Sequence, residues 1–212
     1  MGEEVALGRD LARTESGVSV PPAPPIILAS ESPQRRAILA QLDIPFTVVP
    51  PNFDELVTGT VPEEIVRRNA HGKAHSVGSH GECPVLGVDT AVVVDGLALG
   101  KPADATEAEA MLERLSGMTH EVVSGLCLIT PAWEELAHEV TRVTFRALTA
   151  RDLAQYVGSG EWEGRAGGYA IQGLGAALVE RIEGDYLNVV GLPAALLVRL
   201  LATRFPGAYG FG

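Results

Sequence analysis

The chain has 212 residues, of which 46% are hydrophobic, with 24 glycines, 5% aromatics and a formal net charge of −11 at pH 7. These values suit a globular, glycine-punctuated α/β chain able to bury a sizeable core, and they exclude a broad basic face of the kind that grips a nucleic-acid backbone. No stretch approaches the length of a membrane span, and MGEEVALGRD at the start is acidic without an apolar h-region, so a cytoplasmic protein with no membrane partner is expected.

Residues 1–25 end in four prolines within five positions, Pro21 to Pro25, and are expected to form a tail outside the fold. Ile26 to Ala29 reads as a buried strand and Ser30-Glu31-Ser32-Pro33 as a polar turn, in which Ser32 is a natural N-cap and Pro33 a natural first helical residue. Ile38, Leu39 and Leu42 then fall at helical spacing. Arg35 and Arg36 stand in the first turn, where a cation opposes the helix dipole at a cost of roughly 0.3–1 kcal/mol each. Two readings are open: surface arginines on an amphipathic helix, or cations that meet an anion at a helix N-terminus.

Phe46 to Val49 reads as a second strand, stopped by Pro50-Pro51, and Asn52 to Glu55 as a loop with adjacent acids, Asp54 and Glu55, that are either solvated or functional. Thr60-Val61-Pro62-Glu63 has the form of a capping box opening a helix with an apolar stripe through Val66, Ala70 and Val77. Lys73 lies close to that stripe and either snorkels to water or points into a cleft. Val85 to Val94 is β-rich and runs into Asp95-Gly96, a strong two-residue hairpin signal. Asp89 is therefore an acid inside an apolar strand, an expensive place for a group without a role. Counting across the turn sets Lys101 opposite Thr90. Alternation then puts Asp89 and Lys101 on opposite faces unless the chain bulges or bends at Gly100.

Asp104 and Glu107 cap a helix with Ala108, Met111, Leu112 and Leu115 on its apolar face, closed by Gly117. Strands are expected over 120–129 and 139–145, and a Thr149-capped helix from there to about Val157. Tyr169-Ala170-Ile171-Gln172 is expected to open a glycine-rich strand that Glu183-Gly184-Asp185 turns into a hairpin return, and Ala194 to Leu201 a final apolar helix. Gln172, between small residues, sits where a ligand can approach the backbone. Cys83 and Cys127 are far apart and expected to be reduced. His71 and His75 have i,i+4 spacing but no HExxH pattern, and no metal site is expected from them.

Four motifs occur in order: LASESPQRR at 28–36, KA at 73–74, GVDTAVV…GKP at 87–102 and AGGYAIQG…GDYLNVVGLP at 166–193, with LSGMTHEVVSG at 115–125 between them. In these stretches, over about residues 26–202, the chain resembles the Maf family, nucleotide pyrophosphatases also called septum-formation proteins. The resemblance implies a mixed α/β (α+β), Maf/ITPase-like fold over residues 26–205. That fold has a long central mixed sheet, flanking helices, two lobes around a nucleotide cleft and often a homodimeric state. It also implies hydrolysis of a nucleoside triphosphate to monophosphate and pyrophosphate with a divalent cation (Mg²⁺, Mn²⁺ or Co²⁺).

By matched position, Asp89 is the proton acceptor or metal-linked acid and Glu55 a second carboxylate able to hold the metal. Lys73, Lys101 and Arg35, with Arg36 beside it, face the polyphosphate, Ser30 offers a hydroxyl, and Gln34, Thr90 and Gln172 fall where the family reads its base. The IQG form resembles the branch acting on dTTP and UTP more than the branch acting on 7-methyl-GTP. Two positions depart from the family pattern: Gln34 stands where many members have Arg, and Arg165 where Lys is common. A reading from a different class is a regulator of cell division that binds nucleotide or protein without turnover.

Overall fold

The computed structural model describes residues 23–56 and 61–211. Most of the proline-rich segment expected as a tail, and Thr60 of the expected capping box, lie outside the described residues. The opening unit is β1 (Ile26–Ala29), α1 (Pro33–Gln41) and β2 (Phe46–Val48), with Ser32 as N-cap accepting from the Arg35 amide. Helix α2 (Pro62–Ser76) follows with Val61, not Thr60, at its N-cap position. Next come β3 (Val85–Val94) and β4 (Leu97–Leu99), joined by Asp95 (φ 52°) and Gly96 (φ 74°). Both turn residues are left-handed, as the type I′ hairpin requires.

Helix α3 (Ala105–Leu115) is capped as expected: Asp104 accepts from the Glu107 amide, and the Glu107 carboxylate accepts from the Ala103 amide. Strands β5 (Thr119–Thr130) and β6 (Trp133–Phe145) form a long hairpin paired from Thr119↔Thr144 to Thr130↔Trp133. β6 begins six residues before the expected strand, because the tight turn at Pro131-Ala132 carries the pairing through a polar stretch. Helix α4 (Ala150–Ser159) has a full Thr149/Asp152 capping box and ends at Gly160 in the left-handed region.

The segment after α4 corrects the sequence expectation. Tyr169 to Gln172 is not a strand. It lies between 3₁₀ turns at Ala166–Gly168 and Gly173–Leu178, and the Ala170 amide donates to the Tyr156 hydroxyl (2.9 Å) instead of to a ladder partner. Strand β7 is confined to Val179–Glu183, and no hairpin returns from Gly184. Instead Asp185 caps α5 (Tyr186–Val190) and accepts as well from the Ala195 amide near the start of α6 (Ala194–Arg204).

The strands form one seven-stranded mixed sheet in the order β2-β1-β3-β5-β6-β7, with β4 pairing β3 off that path. β1 is parallel to β2 and β3, while the remaining pairs are antiparallel. Side chains alternate across β3. Gly87 faces α2 so closely that a Cβ there would lie 2.1 Å from the Ala70 carbonyl oxygen. Val85, Gly87, Asp89, Ala91 and Val93 thus share the α2 face, and Leu86, Val88, Thr90, Val92 and Val94 the other.

On that second face lie two apolar clusters. Leu86 and Val88 pack with Ile38, Leu39 and the α6 leucines, while Val92 and Val94 pack with Leu112, Leu115, Leu153 and Tyr169. Among the described residues no helix is long and apolar enough to cross a membrane, and both cysteines are free.

Candidate active site

The cleft arises from how one edge of β3 is shared. β1 pairs with that edge only at Val85–Gly87, and β4 only at Val92–Val94, while β5 covers the opposite edge from Val85 to Val93. Residues 88–91 therefore face an opening between the two edge partners. Asp89 and Thr90 sit in that opening on opposite faces, so the site collects groups from both sides of the sheet. The resulting cavity of about 540 Å³ is lined by Ser30, Gln34, Arg35, Glu55, Lys73, Asp89, Thr90, Lys101 and Gln172, along with Arg165, Tyr169 and Gly191.

On the α2 face, Lys73 is 5% exposed, which settles its direction: it points inward. Its ammonium lies 2.6 Å from Asp89 Oδ1 and 2.6 Å from Glu55 Oε1, and it donates to the Val88 carbonyl at 3.4 Å. Burial works to raise the Glu55 carboxyl. The hydrogen-bonded Lys73, with Lys101 and Arg35 further off, outweighs burial and holds the carboxyl below its ordinary range.

Asn69 was not singled out from the sequence. One turn before Lys73, it is 1% exposed and ties three groups together. Its Oδ1 accepts from the Leu56 amide (2.8 Å), and its Nδ2 donates to the Leu56 carbonyl (3.0 Å) and to Asp89 Oδ2 (2.8 Å). The loop bearing Glu55 is thereby keyed to Asp89 through one amide side chain. Phe53 closes the same loop over Gly72, where a Cβ would come within 2.1 Å of the Phe53 ring. A polar residue one helical turn before an inward lysine is the signal that could have found Asn69.

On the other face, Arg35 does not reach out from the helix start. Its Nε donates to the Gly191 carbonyl (2.9 Å), Nη1 to Ser30 Oγ (2.9 Å) and Nη2 to Thr90 Oγ1 (3.4 Å). Thr90 Oγ1 is in turn 2.9 Å from Ser124 Oγ. Burial lowers the Arg35 guanidinium from its ordinary value, opposed by the attraction of Asp89 and Glu55. Arg36, about 100° round the helix, is exposed and does not line the cavity.

Strand β4 ends at Leu99, and the Gly100 carbonyl accepts from the Gly167 amide. The chain thus leaves the ladder without a bulge, and the exposed Lys101 enters the same cavity as Asp89. On the far wall, Tyr169 is held by His120, whose Nε2 is 2.8 Å from the phenol oxygen. Burial pushes the His120 imidazole down to about 4 and the Tyr169 phenol well above its ordinary value.

Comparison with known proteins adds the family. The model of the Maf-like protein family matches residues 25–204. The chain belongs to that family. It is 46% identical to the dTTP/UTP pyrophosphatase of Deinococcus radiodurans over 191 residues, 90% of this chain and 97% of that one. It is 48% identical to the dTTP/UTP pyrophosphatase of Nitratidesulfovibrio vulgaris over 186 residues, 86% of this chain and 89% of that one. Among solved structures, a HAM1 protein from Coxiella burnetii superimposes on 57% of this chain and 73% of its own length, with a TM-score of 0.41 and 21% identity.

Within this Maf-like chain, the structure brings together nine of the ten residues expected from sequence: Ser30, Gln34, Arg35, Glu55, Lys73, Asp89, Thr90, Lys101 and Gln172.

Proposed function

We propose that this Maf-like protein is a nucleoside triphosphate pyrophosphatase that acts on pyrimidine nucleotides, dTTP and UTP in particular. The observation that carries the reading is the Asp89–Lys73–Glu55 cluster, a buried acid and a second carboxylate 2.6 Å from one ammonium, at the open edge of β3. That the Deinococcus radiodurans and Nitratidesulfovibrio vulgaris relatives are dTTP/UTP pyrophosphatases supports the choice of substrate.

In the proposed reaction, Asp89 orients a water and takes its proton as the water oxygen bonds to the α-phosphorus. The bond from that phosphorus to the bridging oxygen breaks, and pyrophosphate leaves with the electron pair. Lys101 and Arg35 face the charge that develops on the leaving group, Lys73 holds the Asp89 carboxylate in place at 2.6 Å, and Ser30 donates to a phosphate oxygen. Gln34, Thr90 and Gln172 are assigned to the base end of the cavity.

The two carboxylates suit a divalent cation. Asp89 and Glu55 come from different elements yet converge within one ammonium's width, and an all-oxygen set matches Mg²⁺ or Mn²⁺ bound by one or two carboxylates plus substrate phosphates. Such an ion, when bound, supplies charge neutralisation at the phosphates. The test is pyrophosphate release across a panel of nucleoside triphosphates with Mg²⁺, Mn²⁺ or Co²⁺. dTTP and UTP are expected to be turned over fastest. No turnover of any nucleotide with any of these ions would favour a regulator that binds without hydrolysis.

A further inference from the structure

Helix α2 carries a second i,i+4 pair, His71 and His75, two residues out of phase with Asn69 and Lys73. At about 100° per residue, Ala70 and Ala74 face the sheet, Asn69 and Lys73 flank it on the cleft side, and His71 and His75 flank it on the side of β6. Glu134, the second residue of β6, meets both histidines there. Its Oε1 lies 3.4 Å from His71 Nε2 and its Oε2 2.9 Å from His75 Nε2, and the two imidazole centroids are 4.1 Å apart. One ligand atom from each of the three side chains falls within 4.8 Å of the others. The three side chains are 44%, 45% and 36% exposed, so a solvated ion can reach them.

We propose that His71, His75 and Glu134 form a second cation site, selective for a divalent transition metal of the Zn²⁺ class and separate from the carboxylate pair in the cleft. Two imidazoles and one carboxylate are a borderline donor set that favours Zn²⁺, Co²⁺ or Ni²⁺ over Mg²⁺. Metal–ligand bonds of about 2.0–2.2 Å at tetrahedral angles place ligand atoms roughly 3.3–3.6 Å apart. The nitrogen–oxygen separations of 3.4 and 2.9 Å, one to each oxygen of the carboxylate, lie close to that range, and a bound ion needs only local side-chain rotation to draw one ligand atom of each residue together. Three protein ligands leave the fourth position to water. HExxH is not matched because Gly72 stands where its glutamate would be, and the third ligand comes from a strand 59 residues beyond His75. A bound ion would fasten α2, the helix that carries Asn69 and Lys73, to the tip of the β5–β6 hairpin.

The test uses the full chain stripped with a chelator, titrated with Zn²⁺ by calorimetry and with Co²⁺ by visible absorption. The Asp89→Asn variant, impaired in the cleft, is expected to keep one Zn²⁺ site of wild-type affinity. The His71→Ala/His75→Ala variant, which removes two of three ligands, is expected to lose more than the roughly 10–100-fold that loss of a ligand's hydrogen-bond partner costs, and to lose the rise in Tm that Zn²⁺ gives the wild type. Both replaced side chains are well exposed, and circular dichroism without metal checks that this variant folds. A double-histidine variant that binds Zn²⁺ as the wild type does would overturn the proposal. So would a wild type whose only Zn²⁺ site disappears in Asp89→Asn.

Discussion

The two walls of the cleft are built on different physical terms. On the α2 side every group is tied: Lys73 to Asp89 and Glu55, Asn69 to Asp89 and to both backbone groups of Leu56. On the far side, Lys101 and Gln172 are exposed, and the buried Tyr169 packs against Phe145 with its hydroxyl propped by a buried histidine. A tied wall keeps acids and cations at fixed separations before any ligand arrives, which is what charge stabilisation in a reaction needs. An exposed wall of amides and long side chains has donors and acceptors left to give to a ligand. Chemistry is therefore assigned to the first wall, with Lys101 reaching across to the leaving group, and recognition to the rest of the second.

Breaking the tied wall at its centre has the largest expected effect. Lys73→Met leaves Asp89 buried with Asn69 as its remaining side-chain partner. Removing one partner of a buried pair costs about 3–5 kcal/mol, so urea unfolding should show a loss of that size together with lost turnover. A stability within experimental error of wild type would mean that the pair is not a keystone.

The propped wall should respond to pH instead. His120 is held neutral in the fold, at about 4 against an ordinary 6.5. Below pH 6.5 the unfolded chain takes up the proton first, so stability falls as pH drops from 6.5 toward 4, by about 3 kcal/mol at most. Replacement His120→Gln should flatten that part of the Tm-against-pH curve. An unchanged slope would remove His120 from the account.

A smaller effect is expected from Asn69→Leu, which preserves volume but removes the clamp on Leu56 and one donor to Asp89. The loss of a hydrogen bond to a charged group is about 1.5–3 kcal/mol. That bond, to Asp89, is buried, whereas the share lost at the exposed Leu56 adds little because water can replace it. Turnover should fall more than nucleotide affinity does. Equal falls in both would move Asn69 from positioning to binding.

Much of the fold was legible because local rules agree with it. Ser32-Pro33 does open a helix, Asp95-Gly96 does turn a hairpin, and Asp104 with Glu107 does cap α3. The site was legible where a residue was costly in its context, as with Asp89 in an apolar strand and Lys73 beside an apolar stripe. What escaped was set by partners distant in sequence. The opening at residues 88–91 exists because β1 and β4 share one edge of β3, which no window of residues records. Tyr169 to Gln172 looked like a strand until the Tyr156 hydroxyl took its backbone amide. Asn69 and Glu134 gained their roles only through contacts made across the fold.

Whether Asp89 on the tied wall activates the water is decided by pyrophosphate release from dTTP by Asp89→Asn in the presence of Mg²⁺, measured alongside the variant's Tm and its affinity for the nucleotide. The substitution keeps the shape of the side chain and leaves Lys73 paired with Glu55. The expected result is a rate about 10²–10⁴-fold lower, the usual contribution of a positioned general base, in a folded protein that still binds dTTP. A variant that releases pyrophosphate at the wild-type rate would contradict the account.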